Sequence, residues 1–142
     1  MATNYAQNIY NRIRTLIIAA DSRLQIFSRD EFDFKMEYVA KTGKALLLKL
    51  ESDILVDDGG PSNSGRQDRI YNFSGKLYLK ETAETQKNIF QLWENIKNVV
   101  ESNKSDSSGN WHYARVDAVM NERDEDNDLH SADLTFEFHR GY

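Results

Sequence analysis

The chain is 142 residues long, 29% charged and 39% hydrophobic with a formal net charge of −5, a composition that suits one globular domain rather than a disordered or membrane-spanning chain. No apolar run approaches the ~20 residues that cross a bilayer, Met1 to Asn8 lack the basic start and apolar core of a signal peptide, and the absence of cysteine excludes a disulfide framework, a thiolate metal site and a cysteine nucleophile. The acidic balance argues against a dedicated nucleic-acid binder, because phosphate contacts need a basic face.

Asn4 to Ala20 reads as an amphipathic helix, with Ile9, Ile13, Leu16, Ile17 and Ala20 on one side and Asn8, Arg12 and Arg14 away from it. Thr3 or Asn4 suits its N-cap, and Asp21-Ser22 its exit. A short strand, Leu24 to Phe27, precedes an acidic turn through Arg29, Asp30 and Glu31. Phe32, Phe34, Met36 and Tyr38 then alternate with charged residues, the pattern of a half-buried strand. Lys41-Thr42-Gly43-Lys44 marks a hairpin turn. Ala45 to Leu55 opens on the run Leu46-Leu47-Leu48 and continues in alternation. A helix through Leu50 fits that run too, but Gly43 before it and the β-rich neighbourhood favour a strand.

Asp57 to Asp68, which holds Gly59, Gly60, Pro61, Ser62, Asn63, Ser64 and Gly65, breaks the pattern and predicts an exposed loop. Arg69 to Lys80 returns to strand, with Tyr71, Phe73, Gly75, Leu77 and Leu79 sharing one face. It leads into the longest helical pattern, Thr82 to Glu101, where Ile89, Leu92, Trp93, Ile96, Val99 and Val100 form the apolar stripe. Thr82 or Thr85 suits its N-cap, and Glu81 and Glu84 complement the positive end of the helix dipole. At ~1.5 Å per residue this helix is about 30 Å long, enough to cover one face of a small sheet. After a polar loop, Ser102 to Asn110, two strands follow: Trp111 to Met120 and Leu129 to His139, joined by the acidic segment Asn121 to Asp128. In the last strand Ala132, Leu134, Phe136 and Phe138 face one way, and Ser131, Asp133, Thr135, Glu137 and His139 the other. The expected fold is one α+β domain over residues 1 to 142: a two-layer structure in the order α-β-β-β-β-α-β-β, with two amphipathic helices covering a mostly antiparallel sheet.

Motifs that carry chemistry are weak. Asp124, Asp126 and Asp128 give the opening of an EF-hand loop, but Leu129 stands where that loop needs Gly and Thr135 where it needs Glu. The acidic segment therefore reads as a solvated hairpin loop, without metal. His112, His130, His139 and Asp133 match no compact ligand spacing and read as surface residues. The glycines around Gly59 to Gly65 are not followed by the lysine and helix of a phosphate-binding loop. Asp133, Glu137 and His139 on one strand face come closest to an acid–base set, an arrangement common on the wet side of any strand. Tyr5, Tyr10, Phe90, Trp93 and Trp111 are expected mostly in the core, with Trp111, opening a strand beside a polar loop, the one suspected of lying at an edge or interface. No catalytic residue, cofactor or metal is assigned.

The end of the chain is more specific. Arg123-Asp124-Glu125-Asp126, followed by His130-Ser131-Ala132-Asp133-Leu134-Thr135-Phe136-Glu137-Phe138, resembles the closing strand of tail terminator proteins of long-tailed bacteriophages. The order of elements upstream is similar to that family across nearly the whole chain. The resemblance implies a structural virion protein of the tail–neck junction, assembled in the bacterial cytoplasm. Such a protein forms a hexameric ring with copies of itself, caps the tail tube protein, ends tube polymerisation and offers a surface to a head connector or head-completion protein. DNA passes through the lumen without specific binding, and no membrane is involved. Ser131, Ala132, Asp133, Leu134, Thr135 and Phe136 carry the family's fold motif; Asp57, Asp58, Arg66, Arg69, Trp111, Glu122, Arg123, Asp124 and Tyr142 are candidate subunit or tube contacts by position. Another head–tail connector ring, or a module binding a small apolar ligand between helix and sheet, are the alternatives.

Overall fold

A computed structural model describes residues 4–28, 43–56, 68–80, 85–125 and 128–141, with the backbone alone described at 28 and 85–88. Helix α1 (Tyr5–Ala20) starts where the Asn4 side chain accepts a hydrogen bond from the Gln7 amide at 2.9 Å, satisfying one of the donors a helix start leaves open. It ends as the Asp21 amide donates to the Ile17 carbonyl. Ile9, Ile13 and Ile17, one turn apart, are its buried positions.

Strand β1 (Gln25–Ser28) follows, then β2 (Lys44–Val56), β3 (Asp68–Lys80), helix α2 (Thr85–Ser102), β4 (Tyr113–Met120) and β5 (Leu129–Gly141). The five strands form one sheet in the order β1-β2-β3-β5-β4. The β1–β2 pair is parallel and the other pairs are antiparallel. Both helices pack on one face of this sheet, so the architecture is the expected α+β arrangement of two helices over a mostly antiparallel sheet. The predicted strand Phe32 to Tyr38, the turn residues Arg29 to Glu31, Lys41 and Thr42, and the cap positions Thr3, Glu81, Thr82 and Glu84 lie outside the described residues.

The core is built on the β3–β5 pair. Alternation sends Tyr71, Phe73, Gly75 and Leu77 toward the helices opposite Phe138, Phe136, Leu134 and Ala132. Ile9, Ile13 and Ile17 of α1 and Ile89, Leu92, Ile96 and Val100 of α2 close over this face. Phe73 meets Phe138 edge-on with ring centroids 5.7 Å apart, an arrangement worth about 0.5–1.5 kcal/mol beyond area burial. Burying each large side chain adds roughly 1.5–3 kcal/mol. The inner-face stripes expected for β3 and β5 are therefore those that pack, while Ala20, expected on the apolar side of α1, is exposed.

One local reading changes here. The alternation expected through Ala45 to Leu55 is interrupted by a register shift between Leu50 and Ser52. An extra residue at such a bulge exchanges the two faces beyond it. Leu46, Leu48 and Leu50 thus pair with Leu77, Gly75 and Phe73, but beyond the bulge Asp53 and Leu55 take that side, and Ser52, Ile54 and Val56 the other.

Gly75 sits beneath the helices with no room for a larger residue: a Cβ there would lie 3.1 Å from Leu46 Cδ1 and 3.2 Å from Phe136 Cε2. Gly75→Val should therefore cost about 1–3 kcal/mol of stability through overpacking, read as a lower urea midpoint. An unchanged midpoint would show that the Leu46–Phe136 contact yields freely.

Candidate interaction surface

The middle of the sheet face turned away from the helices is a lattice of paired polar groups, while toward the end where β2 and β5 begin Ala45 and Leu129 are buried with Phe27 and Tyr78 packed against them. Ser74 Oγ donates to Glu51 Oε1 at 2.6 Å and Asn72 Nδ2 to Ser52 Oγ at 3.0 Å. Lys76 Nζ lies 3.1 Å from Asp133 Oδ1. Arg115 pairs with Asp117 at 2.8 Å and with Glu137 at 3.5 Å, and Glu137 is also 2.9 Å from His139 Nε2. The three residues nearest to an acid–base set are thus divided: Asp133 is held by Lys76 on β3, while Glu137 is shared between Arg115 and His139. Partly exposed pairs of this kind each contribute about 0–1 kcal/mol. Their effect is to neutralise the face and fix its side chains, not to gather reactive groups in a cleft.

The contact residues expected by position fall in two separate places. Arg69 is near the start of β3 and pairs with Asp53 across the β2 strand at 3.1 Å. Glu122, Arg123 and Asp124 lie at the opposite end of the sheet, in the β4–β5 connection. There Asp124 and Leu129 exchange backbone hydrogen bonds of 2.9 and 3.1 Å, Asp128 takes a left-handed φ of 51°, a conformation that Asp tolerates better than most residues, and Arg123 pairs with Asp128 at 2.9 Å. Ser131 to Phe136 form the middle of β5, with Ala132, Leu134 and Phe136 in the core and Ser131 Oγ accepting from Asn121 Nδ2 at 3.1 Å. Asp57, Asp58, Arg66 and Tyr142 lie outside the described residues.

Trp111 corrects the sequence reading. It was expected at an edge, but it is 2% exposed, its indole N–H donates to the Asn103 carbonyl at 2.7 Å, and its ring centroid lies 4.7 Å from that of Phe138. The reason is local: β4 begins at Tyr113, and a bend at His112 turns Trp111 inward, against the parity a strand through it would have imposed. It is a core side chain and presents no surface for contact.

What the sequence reading missed are exposed apolar side chains. Phe90, expected in the core, is 50% exposed; it follows Ile89 by one residue and so falls off the apolar stripe of α2. With Ile89, Met120, Asn121, Arg123, His130 and Ser131 it lines an open groove of about 400 Å³; Val119, on the other face of β4, is 67% exposed. At the diagonally opposite corner, past the bulge in β2, Ile54 and Leu55 are 51% and 52% exposed, with Leu50 and Val56 also open. Three consecutive apolar residues in a strand cannot share one face, so the run Ile54-Leu55-Val56 carried this signal in plain sight.

One buried charge organises the remaining loop. The Asp106 carboxylate accepts from Arg12 Nε at 3.0 Å, Asn110 Nδ2 at 2.8 Å, and the Ser108 and Asn110 amides at 3.2 and 3.1 Å. Burial is the strongest single influence and opposes its ionisation, but the hydrogen bonds from Arg12, Asn110 and the two amides together outweigh it and hold its pKa below the ordinary 3.8. With Asp106 N–H donating to the Trp111 carbonyl, this carboxylate ties α1 to the turn that delivers Trp111 to the core.

No protein-family model matches the chain, and no curated protein sequence matches it.

Because the Asp106 pKa is depressed by folding, its stabilisation is present above about pH 3.8 and is lost as the pH falls through the lower folded-state value. Asp106→Asn should cost about 2–3 kcal/mol at pH 7, since Arg12 is partly exposed and recovers some hydration. The gap in melting temperature between wild type and variant should narrow as the pH drops below 3.8. A gap that stays constant through that range would show that the carboxylate charge is not what holds the loop.

Proposed function

We propose that this chain is a structural component of a bacteriophage tail: a subunit of a closed, hexameric ring that caps the tail tube, ends its polymerisation and joins the tail to a head connector or head-completion protein. The observation that carries this reading is the pair of exposed apolar clusters at opposite corners of the sheet, around Leu55 and around Phe90. A ring of identical subunits joined head to tail requires each copy to present two different patches, and exposed apolar side chains gathered in one place mark protein contacts. The closing-strand resemblance through Ser131 to Phe136 adds the kind of ring. The pairing of Asp133 with Lys76 and of Glu137 with Arg115 supports a contact role over a catalytic one. The net charge of −5 suits a lumen that repels DNA and lets it slide.

A connector or head-completion ring of the same particle would present the same kind of surface and is the first alternative. A small apolar ligand is the second, favoured by the groove around Ile89, Phe90 and Met120.

The discriminating experiment adds the purified chain to polymerising tail tube protein and follows tube length by negative-stain microscopy. Tubes that stop growing and carry a ring at one end are expected. Tubes that grow unchanged while the chain binds portal or connector components would reassign it to the neighbouring ring, and inertness toward both would overturn the reading.

A further inference from the structure

The two exposed clusters differ in shape. One is a corner: beyond Leu48, β2 meets only β3 among the described strands, because β1 pairs with Ala45 to Leu48. Ile54, Leu55 and Val56 project there on both faces of a strand edge. The other is a hollow, with Ile89, Phe90 and Met120 as its apolar floor and about 400 Å³ of open space. It borders β4, which among the described strands pairs only with β5.

The corner and the hollow cannot meet within one chain. The C-terminal end of β2 lies level with the start of β3 and the end of β5, through Val56 opposite Asp68 and Asp68 opposite Gly141. Met120 ends β4 opposite Ala132, near the start of β5 and so at the other end of the sheet. Strand order also places β2 and β4 on opposite sides of the central pair. A projecting apolar edge and an apolar hollow at diagonal corners of one molecule are complementary between copies, and a contact that uses the corner of one and the hollow of the other leaves the first with its hollow and the second with its corner still free.

We infer that the β2 corner of one copy, led by Leu55, seats in the groove floored by Ile89, Phe90 and Met120 of the next copy, so that subunits join head to tail. This rests on the ring reading in taking the occupant to be a second copy, and it names the surfaces through which the ring closes. Burial of side chains that are about half exposed provides the driving force. A corner-to-corner contact would instead stop at a symmetric dimer.

The test uses Leu55→Asp and Phe90→Asp in the full chain, both at exposed positions, with circular dichroism melts confirming that each variant folds. Sedimentation velocity should show the wild type as a closed oligomer and each variant as a monomer, with association weakened by roughly 30-fold or more. An equimolar mixture of the two variants should yield a dimer and nothing larger, because only the intact corner of Phe90→Asp and the intact groove of Leu55→Asp can join. Folded variants that keep the wild-type oligomer would place the interface elsewhere and overturn this inference while leaving the ring reading intact. Monomeric variants whose mixture stays monomeric would overturn the head-to-tail pairing. A wild type that is monomeric at all concentrations would overturn the ring reading and this inference with it.

Discussion

Everything in this molecule depends on the alternation of side chains across the β3–β5 pair. Phe73 opposite Phe136, Gly75 opposite Leu134 and Leu77 opposite Ala132 place the bulk of the apolar surface on one side of the sheet, and that side can be buried only if amphipathic helices cover it. Both helices meet the demand with residues one turn apart, Ile9, Ile13 and Ile17 on α1 and Ile89, Leu92, Ile96 and Val100 on α2. The same alternation leaves Ser74, Lys76, Asp133, Thr135 and Glu137 on the opposite face. There hydrogen bonds and ion pairs run both between strands and along them, so burial on one side sets polar order on the other.

Gly75 and Asp106 show how local constraints serve this plan. Gly75 lets Leu46 and Phe136 approach across the central strand, where a Cβ would part them. Asp106 gathers Arg12, Asn110 and two backbone amides around one buried carboxylate, and the turn so formed carries Trp111 into contact with Phe138. A charge desolvated to this degree is stable only with its full set of partners, so the loop before β4 has one well-defined arrangement.

The long apolar stripe of α2, the Asn4 cap and the inner faces of β3 and β5 were legible from sequence because each follows a single period over many residues. The exceptions are places where the period changes without a marker. The bulge between Leu50 and Ser52 exchanges faces inside a strand that keeps its apolar character, and the bend at His112 turns Trp111 inward although Tyr113 onward reads as ordinary strand. Phe90 is expected mostly in the core by helical spacing, yet its position one residue past Ile89 places it beside the stripe. Asp106 looks like one more polar residue of a Ser- and Asn-rich loop, and its partner Arg12 is 94 positions away, beyond any local pattern. The candidate surface was least legible for the same reason: the charged residues expected to make contacts, Arg69 and Arg123 among them, are held in pairs within the chain, while Phe90 was expected in the core and Ile54, Leu55 and Val56 were given no contact role.

The central claim is that this fold presents its apolar corners to other protein chains and closes on itself as a ring. Native mass spectrometry of the untagged chain over a wide concentration range tests it most directly. Closure predicts one discrete oligomer, six copies in mass, with no ladder of larger species and few intermediates. A single-copy mass at every concentration, or an open-ended ladder that grows with concentration, would contradict it.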